Sequence, residues 1–167
     1  MALKKTLTTE QTVDHIIHKI RARYPNQFAD VTFGEFSIYT PDMFQGPRGT
    51  VLPIVAVSPV YDRLLPDTRT NISEVRARGI DIVTIVNMLQ EVQAKPPEQT
   101  GERNLVRNTQ YLIDYLGAEA MEDLDGQVEF TQLGDISWEW LVGDQQIYRS
   151  SRIHFIVYAR LNKFNNK

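Results

Sequence analysis

Three polar residues near the start of the chain have types and spacing that could bind a metal ion. Asp14, His15 and His18 fall in a segment of helical periodicity, where residues three apart share one face. Imidazole is a common metal ligand, so a metal-dependent enzyme such as a nuclease is one hypothesis. The pattern lacks a third converging ligand, because the other histidine, His154, lies far along the chain. A solvated helix face is the favoured interpretation, and we predict no metal, cofactor or catalytic residue.

Two tryptophans form the second group that could do chemistry. Trp138 and Trp140 lie in the segment ISWEWLV, where their spacing puts both on one face of a strand. Together with Tyr158 they could stack on bases, which would suit a protein that binds single-stranded nucleic acid. Packing in a core or between subunits is the commoner use of such a pair. We therefore assign Trp138 and Trp140 to a subunit interface.

A group of arginines makes one segment of the chain locally basic. Its members are Arg63, Arg69, Arg76 and Arg78. Phosphate binding is not favoured here, because only Tyr61 supplies an aromatic ring beside them. Such a charge run is usually a solvated surface. The alternative is contact with an acidic surface on an adjacent subunit, so all four arginines are candidates for a subunit interface.

Length and composition limit the remaining functions. A chain of 167 residues is long enough for one domain that buries about 70% of its unfolded surface. The absence of cysteine excludes disulfides, thiolate catalysis and cysteine-ligated zinc. A net charge of -3 argues against a dedicated nucleic-acid binder. No apolar run reaches the ~20 residues of a membrane span, and none resembles a signal peptide, so we expect a soluble protein with no membrane partner.

Apolar spacing predicts two helices. The first is capped by Thr8 or Thr9, and Gln11 lies three residues after Thr8 as in a capping box. It carries an apolar stripe and ends at Pro25. The second covers residues 105–116, where a partial apolar stripe recurs. Both helices are expected to lie on an apolar surface.

Apolar runs of strand type fill most of the remaining sequence. They predict strands at residues 31–39, 50–61, 72–89, 127–133, 136–142 and 152–161. The run GIDIVTIVNML at residues 79–89 is apolar on both parities, as in a central strand covered on both faces. Residues 50–61 and 72–89 are predicted to be the arms of a long antiparallel hairpin. Its tip, residues 62–71, would project from the body.

Three further segments are predicted to be irregular. Residues 40–49 are rich in proline and glycine, and Met43 with Phe44 would plug the space beneath this loop or contact a partner. Residues 90–103 are predicted to be a proline-rich surface loop. The string DLDG at residues 123–126 is interpreted as a turn, because its glycine is misplaced for a calcium-binding loop.

These elements define the expected fold class. We predict an α+β fold with a mainly antiparallel sheet and a long projecting β-hairpin at about residues 50–87. The sheet would pack against the N-terminal helix and one further helix. A single domain would cover residues 1–167.

The order and texture of these elements resemble a known family. The chain has the N-terminal helix, the PIVAVSP strand, the arginine-bearing hairpin, the GIDIVTIV strand, a surface helix and the SRIHFIVYARL strand. In this it is similar to the small α+β tail terminator and tail completion (neck) proteins of long-tailed bacteriophages. The resemblance covers most of the chain and is one of architecture.

The resemblance implies a structural protein of the virion and not an enzyme. Proteins of that family form a ring, typically a hexamer, at the head-proximal end of the tail. The ring stops tube growth and joins the tail to the neck or connector. Expected partners are further copies of the chain, the tail tube protein and neck proteins, with DNA passing through the lumen without specific binding. Assembly would take place in the bacterial host cytoplasm.

Two nearby alternatives belong to the same machine. The chain could be a neck or head-closure ring protein, or a tail tube subunit, since these share similar sheet and arm features. The metal-dependent enzyme and the single-stranded nucleic-acid binder remain more distant alternatives. Ring formation needs complementary surfaces and no nucleophile, which fits a sequence without a catalytic set.

Overall fold

Two helices and five strands form the fold in a computed structural model that describes residues 7–34, 41–44, 51–88, 101–142 and 147–162. The elements within these ranges are α1 Thr9–Arg23, β1 Asp30–Phe33, β2 Ile54–Leu64, β3 Ser73–Asn87, α2 Gly101–Leu116, β4 Phe130–Val142 and β5 Ile147–Asn162. Short 3-10 turns lie at Pro41–Phe44, Pro66–Thr68 and Glu119–Met121. No helix in the described ranges is long and apolar enough to span a membrane.

The five strands form one sheet in the order β1-β2-β3-β5-β4. Neighbouring strands are antiparallel except β1 and β2, which are parallel. β3 lies in the middle of the sheet, and its residues from Ala77 to Asn87 are all buried. The predicted α+β class with a mainly antiparallel sheet and two helices is confirmed. The central position of β3 explains why its sequence is apolar on both parities.

The long hairpin is present, but its projection is not confirmed. β2 and β3 pair from Ile54↔Ile85 to Leu64↔Arg76, with a bulge between Pro59 and Tyr61. On the other side of β3, the strand β5 pairs with every residue of β3 from Ser73 to Asn87. The hairpin is therefore one part of a wider sheet, because β5 lies beside β3 as far as Ser73, which pairs with Asn162.

Both helices cover the same face of the sheet. α1 begins with the predicted capping box, in which Thr8 Oγ1 accepts from the Gln11 N–H and the Gln11 side chain accepts from the Thr8 N–H. Its apolar stripe enters a core shared with α2, β2, β3 and β5. That core contains Val13, Ile16, Ile17, Ile20, Val55, Val57, Ile80, Ile82, Leu112, Leu116, Ile153, Phe155 and Val157. Burying such side chains contributes roughly 1.5–3 kcal/mol each, so this interface holds the helices in place.

The opposite face of the sheet is covered over part of its area by the segment before β2. Phe44 is fully buried and stacks on Tyr148 with ring centroids 5.8 Å apart. Val83 and Ile85 of β3 pack beneath it, and Met43 lies at the side of this cluster. The predicted plug formed by Met43 and Phe44 is confirmed. Its benzyl ring shields a part of β3 that would otherwise face water.

α2 begins earlier and is more polar on its buried side than its sequence suggested. It starts at Gly101, so residues 101–103 belong to the helix, while residues 90–100 of the predicted loop lie outside the described part of the chain. Asn104, Asn108 and Thr109 are buried. Thr109 Oγ1 is 2.6 Å from the Ser151 hydroxyl, so this polar pair is satisfied across the interface.

The strand boundaries differ from the predicted ones. The two strands expected at residues 127–133 and 136–142 are one strand, β4, with a bulge between Leu133 and Ile136. At this bulge a Cβ on Gly134 would lie 2.9 Å from the carbonyl oxygen of His154, so a side chain does not fit. The expected strand at 31–39 ends at Phe33, followed by Gly34 at φ +83°, and residues 35–40 lie outside the described ranges.

The DLDG turn is confirmed and is fastened to α1. Leu124, Asp125 and Gly126 all adopt left-handed backbone conformations. The Asp125 carboxylate accepts hydrogen bonds from Lys19 Nζ at 2.9 Å and lies 3.1 Å from His15 Nε2. These bonds lower the pKa of Asp125, with Lys19 the larger cause. The ionised form of Asp125 is thus favoured by folding.

We expect Asp125→Asn to destabilise the protein slightly at neutral pH, by less than about 1 kcal/mol, because the pair is exposed. The contribution of a carboxylate with a lowered pKa exists above its ordinary pKa and is lost as the pH falls through the folded-state pKa. The difference between Asp125→Asn and the unchanged protein should therefore disappear in acid. Urea unfolding between pH 7 and pH 3 measures it, and a pH-independent difference would contradict the ion pair.

Candidate functional site

A hydrogen-bonded network lies on the face of the sheet opposite the helices. Asp81 is 7% exposed, and its two carboxylate oxygens bind different partners. His154 Nδ1 lies 2.9 Å from one oxygen, and Arg152 donates to the other at 2.6 Å. On its far side, His154 Nε2 lies 3.0 Å from the Tyr61 hydroxyl. The four side chains come from β3, β5 and β2, so the sheet register alone brings them together.

Local backbone features make room for the two rings of this network. The bulge in β2 places Tyr61 opposite Gly79. A Cβ on Gly79 would lie 2.3 Å from Tyr61 Cε1, so the phenol ring rests directly on the glycine. The imidazole of His154 lies similarly close to Gly134, at 3.1 Å from a Cβ built there. Because Gly79 and Gly134 have no side chains, the rings of Tyr61 and His154 can lie close to the sheet at these two positions.

The arrangement fixes the orientation of the imidazole. A carboxylate accepts only, so the Asp81 contact favours a hydrogen on Nδ1 of His154, and Nε2 then accepts from the Tyr61 hydroxyl. The Arg63 guanidinium lies over the Tyr61 ring, 4.2 Å from its centroid. Arg152 compensates the charge of Asp81, which makes the burial of that carboxylate tolerable. The groups satisfy one another, so the network holds three strands together.

Sequence reasoning missed this network because its members are distant in the chain. Asp81 and His154 are 73 residues apart, and only the pairing of β3 with β5 places them opposite each other. One signal was available, since Asp81 is the single charged residue within the apolar run of the central strand. A buried carboxylate needs a cationic or hydrogen-bonding partner, so a search for one on the adjacent strands was justified.

The residues considered as metal ligands in the alternative hypothesis, Asp14, His15 and His18, do not form a site in the described part of the chain. His15 is used by Asp125, while Asp14 and His18 are exposed on α1. No group of three or more histidine, aspartate or glutamate side chains in the described ranges could hold a metal ion. The structure therefore offers nothing in these ranges that would favour the metal-dependent enzyme.

The four arginines of the hairpin differ in what they contact. Arg78 is 3% exposed, and its guanidinium binds the carbonyl oxygen of Leu7, the Thr12 hydroxyl at 3.2 Å and Asp62. Burial lowers the pKa of Arg78 and the Asp62 carboxylate opposes that shift. Arg78 therefore fastens the start of α1 to the hairpin and has little surface to offer another subunit.

The other three arginines are more accessible. Arg76 pairs with Asp62 and with Glu74, and these hydrogen bonds raise its pKa, with that from Asp62 the larger cause. Arg63 lies over Tyr61, and Arg69 is exposed near the hairpin tip. Their assignment to a subunit interface stays a prediction.

The two tryptophans lie on the edge strand β4, on the same side of the sheet as the helices. Trp138 is 39% and Trp140 is 55% exposed, so neither belongs to the core of the single chain. The Arg149 guanidinium lies 4.7 Å from the ring centroid of Trp140 and also pairs with Glu102 of α2. Val142, beside them on this edge, is 78% exposed.

The third aromatic residue of the nucleic-acid hypothesis lies on the opposite face. Tyr158 stacks on Phe130 with centroids 4.3 Å apart, on the side of the sheet that carries His154. The set formed by Trp138, Trp140 and Tyr158 therefore cannot form one stacking surface. Alternation along β4 and β5 explains this, because the bulge in β4 shifts the parity of the tryptophans.

We expect Gly79→Ala to displace the Tyr61 ring and break its bond to His154, because a Cβ cannot occupy the same space. The imidazole nitrogen chemical shifts of His154 should change, and stability should fall by about 1 kcal/mol. Tyr61→Phe is the matched control, since it removes the hydroxyl and keeps the ring. Unchanged His154 shifts in both variants would show that the bond does not exist in solution.

We expect Arg78→Met to lower the free energy of unfolding by about 3 kcal/mol, because it removes the buried guanidinium that binds the Leu7 carbonyl oxygen, the Thr12 hydroxyl and Asp62. Arg69→Met is the control, as an exposed substitution of the same kind should change stability by less than about 0.5 kcal/mol. Urea denaturation compares the two. Equal effects would mean that Arg78 does not anchor α1.

The main features of the described surface are the Asp81 network on the face opposite the helices, the paired arginines and the exposed tryptophans. A scan of the sequence against protein-family models gives no match, and a search of curated proteins gives no significant match. Any function is therefore a proposal from the chain's own residues and from the resemblance stated above.

Proposed function

We propose that the chain is a structural subunit of a ring at the head-proximal end of a phage tail, which ends tube growth and joins the tail to the neck. The observation that carries the self-assembly is the presence of two different open sheet edges. β4 pairs only with β5 among the described strands. At the other side, β1 pairs with β2 over Ile54–Val57, and no described strand pairs with the outer edge of the distal half of β2.

The strand directions suit a head-to-tail contact. β2 and β5 run in the same direction, since both are antiparallel to β3, and β4 runs opposite to both. If neighbouring copies keep the same orientation, β4 of one copy meets β2 of the next in antiparallel fashion. A contact between two unlike surfaces leaves one of each free, so it repeats until a ring closes.

The side chains at these edges support the same contact. Trp138, Trp140 and Val142 expose apolar area on β4, and tryptophan is enriched among the residues that dominate binding energy. Asp135 and Glu139 on β4 are exposed acidic residues. Arg63 and Arg69 of the hairpin are exposed basic residues that would meet these carboxylates in such a contact.

The sequence resemblance is what places such a ring on a phage tail. The sheet edges support self-assembly, which tail terminators share with neck, head-closure and tube proteins. The formal charge of -3 is compatible with a lumen through which DNA passes without being held. The expected neighbours are the tail tube protein on one side and neck or connector proteins on the other.

We expect a Trp138→Glu/Trp140→Glu double variant to stay monomeric, because two buried carboxylates would replace the apolar contact at the joint. Tails assembled with it should be longer than normal and should fail to join heads. Val106→Glu is the control, since Val106 is an exposed apolar residue on α2. Native mass spectrometry, with and without tail tubes, and electron microscopy of tails measure both effects.

Two results would separate the parts of this proposal. If the double variant forms rings normally, β4 is not part of the contact between neighbouring copies. Rings that form in the unchanged protein but have no effect on tail length would retain self-assembly and exclude the terminator role.

A further inference from the structure

A cavity of about 450 Å³ lies between the end of α1 and α2. Pockets of this size are at the lower end of the range that holds small-molecule ligands. The side chains that matter for recognition come from the last turn of α1 and from one stripe of α2: Arg23, Tyr24, Asn104, Arg107, Asn108 and Tyr111. Leu52 and Pro53 form part of its apolar wall.

The stripe of α2 that faces this cavity is polar where a core-facing helix is normally apolar. Asn104 and Asn108 are 8% and 4% exposed and lie one turn apart. Asn108 Nδ2 donates to the backbone oxygen and to Oδ1 of Asn104, at 2.8 and 2.6 Å. Both amide hydrogens of Asn108 are thereby used. Its Oδ1 receives no hydrogen bond from the described residues.

The charge of the cavity favours an anion. Arg23 and Arg107 line it, and none of the described residues that line it is a carboxylate, in a chain whose net charge is -3. Guanidinium groups bind phosphate through paired, charge-assisted hydrogen bonds. A ligand with a phosphate group would therefore gain more here than a neutral one.

Two phenol rings supply a flat contact beside these groups. Tyr24 and Tyr111 have ring centroids 6.3 Å apart with an interplanar angle of 34°. The Tyr24 hydroxyl donates to the backbone oxygen of Tyr111 at 2.9 Å, which fixes the Tyr24 ring. Burial raises the pKa of Tyr24, so the phenol stays neutral and able to donate at physiological pH. The Tyr111 ring is 39% exposed and accessible to a ligand.

We propose that this cavity binds a nucleoside monophosphate. The phosphate would pair with Arg23 and Arg107, the base would lie against Tyr111, and an amino group of the base would donate to Asn108 Oδ1. This last bond would use an acceptor that no described residue occupies. The site lies within one copy of the chain, so it is independent of the ring and of the phage assignment.

Isothermal titration of the full-length chain with adenosine monophosphate tests the site, with adenosine and inorganic phosphate as the separated halves of the ligand. We expect the nucleotide to bind at least about tenfold more tightly than either half, because charged and neutral contacts both contribute. No binding of the nucleotide at millimolar concentration overturns the proposal. Equal affinity for phosphate alone overturns the nucleotide class, since the rings would then contribute nothing.

Two variants and one control locate the binding. Asn108→Leu keeps the volume and removes the acceptor, and Arg23→Gln removes one guanidinium from an exposed position. Each should weaken nucleotide binding by about tenfold. Arg103→Gln, on an exposed part of α2 that does not line the cavity, should leave affinity unchanged. Thermal unfolding shows whether Asn108→Leu is folded, and unaltered affinity in Arg23→Gln would place any binding elsewhere.

Discussion

The pairing of β3 with strands on both sides is the constraint on which the rest of the structure depends. β3 is bonded to β2 over most of its length and to β5 over all of it, so its backbone groups are satisfied in a buried position. The neighbours of β3, strands β2 and β5, in turn contact α1, the segment with Met43 and Phe44, and the edge strand β4. Side chains on β3 decide what each face of the sheet accepts: Ile80 and Ile82 join the apolar core beneath the helices, while Asp81 beside Val83 and Ile85 makes the other face mixed.

Charged groups inside this framework are kept where they are paired. Asp81 in the central strand is compensated by Arg152 and His154, and Arg78 is compensated by Asp62 and by backbone oxygen. Neither group gains stability by burial alone, because desolvation of an ion costs several kcal/mol. Their value is positional. Arg78 fixes where α1 starts, and Asp81 fixes how β2, β3 and β5 are registered on the open face.

The elements that could be predicted are those whose own sequence is sufficient. The capping box of α1, the doubly apolar run of β3 and the turn at residues 123–126 are local signals, and each is present in the structure. The division of β4 was wrong because a single glycine at a bulge reads locally as a break. The Asp81 network and the polar cavity could not be predicted, since they depend on register and on how α1 and α2 meet. Sequence reasoning also grouped Tyr158 with the two tryptophans. The register of β4 with β5 shows that Tyr158 lies on the opposite face of the sheet.

The parallel pairing of β1 and β2 has a consequence for the chain between them. Two parallel neighbours cannot be joined by a tight turn, so the chain must return along the sheet before β2 begins. Phe44 and Val51 lie on that return path and cover the uncapped side of β3. The connection between β1 and β2 therefore also covers one face of β3. Shortening this crossover would cost the protein the cover of its central strand as well as the position of its first one.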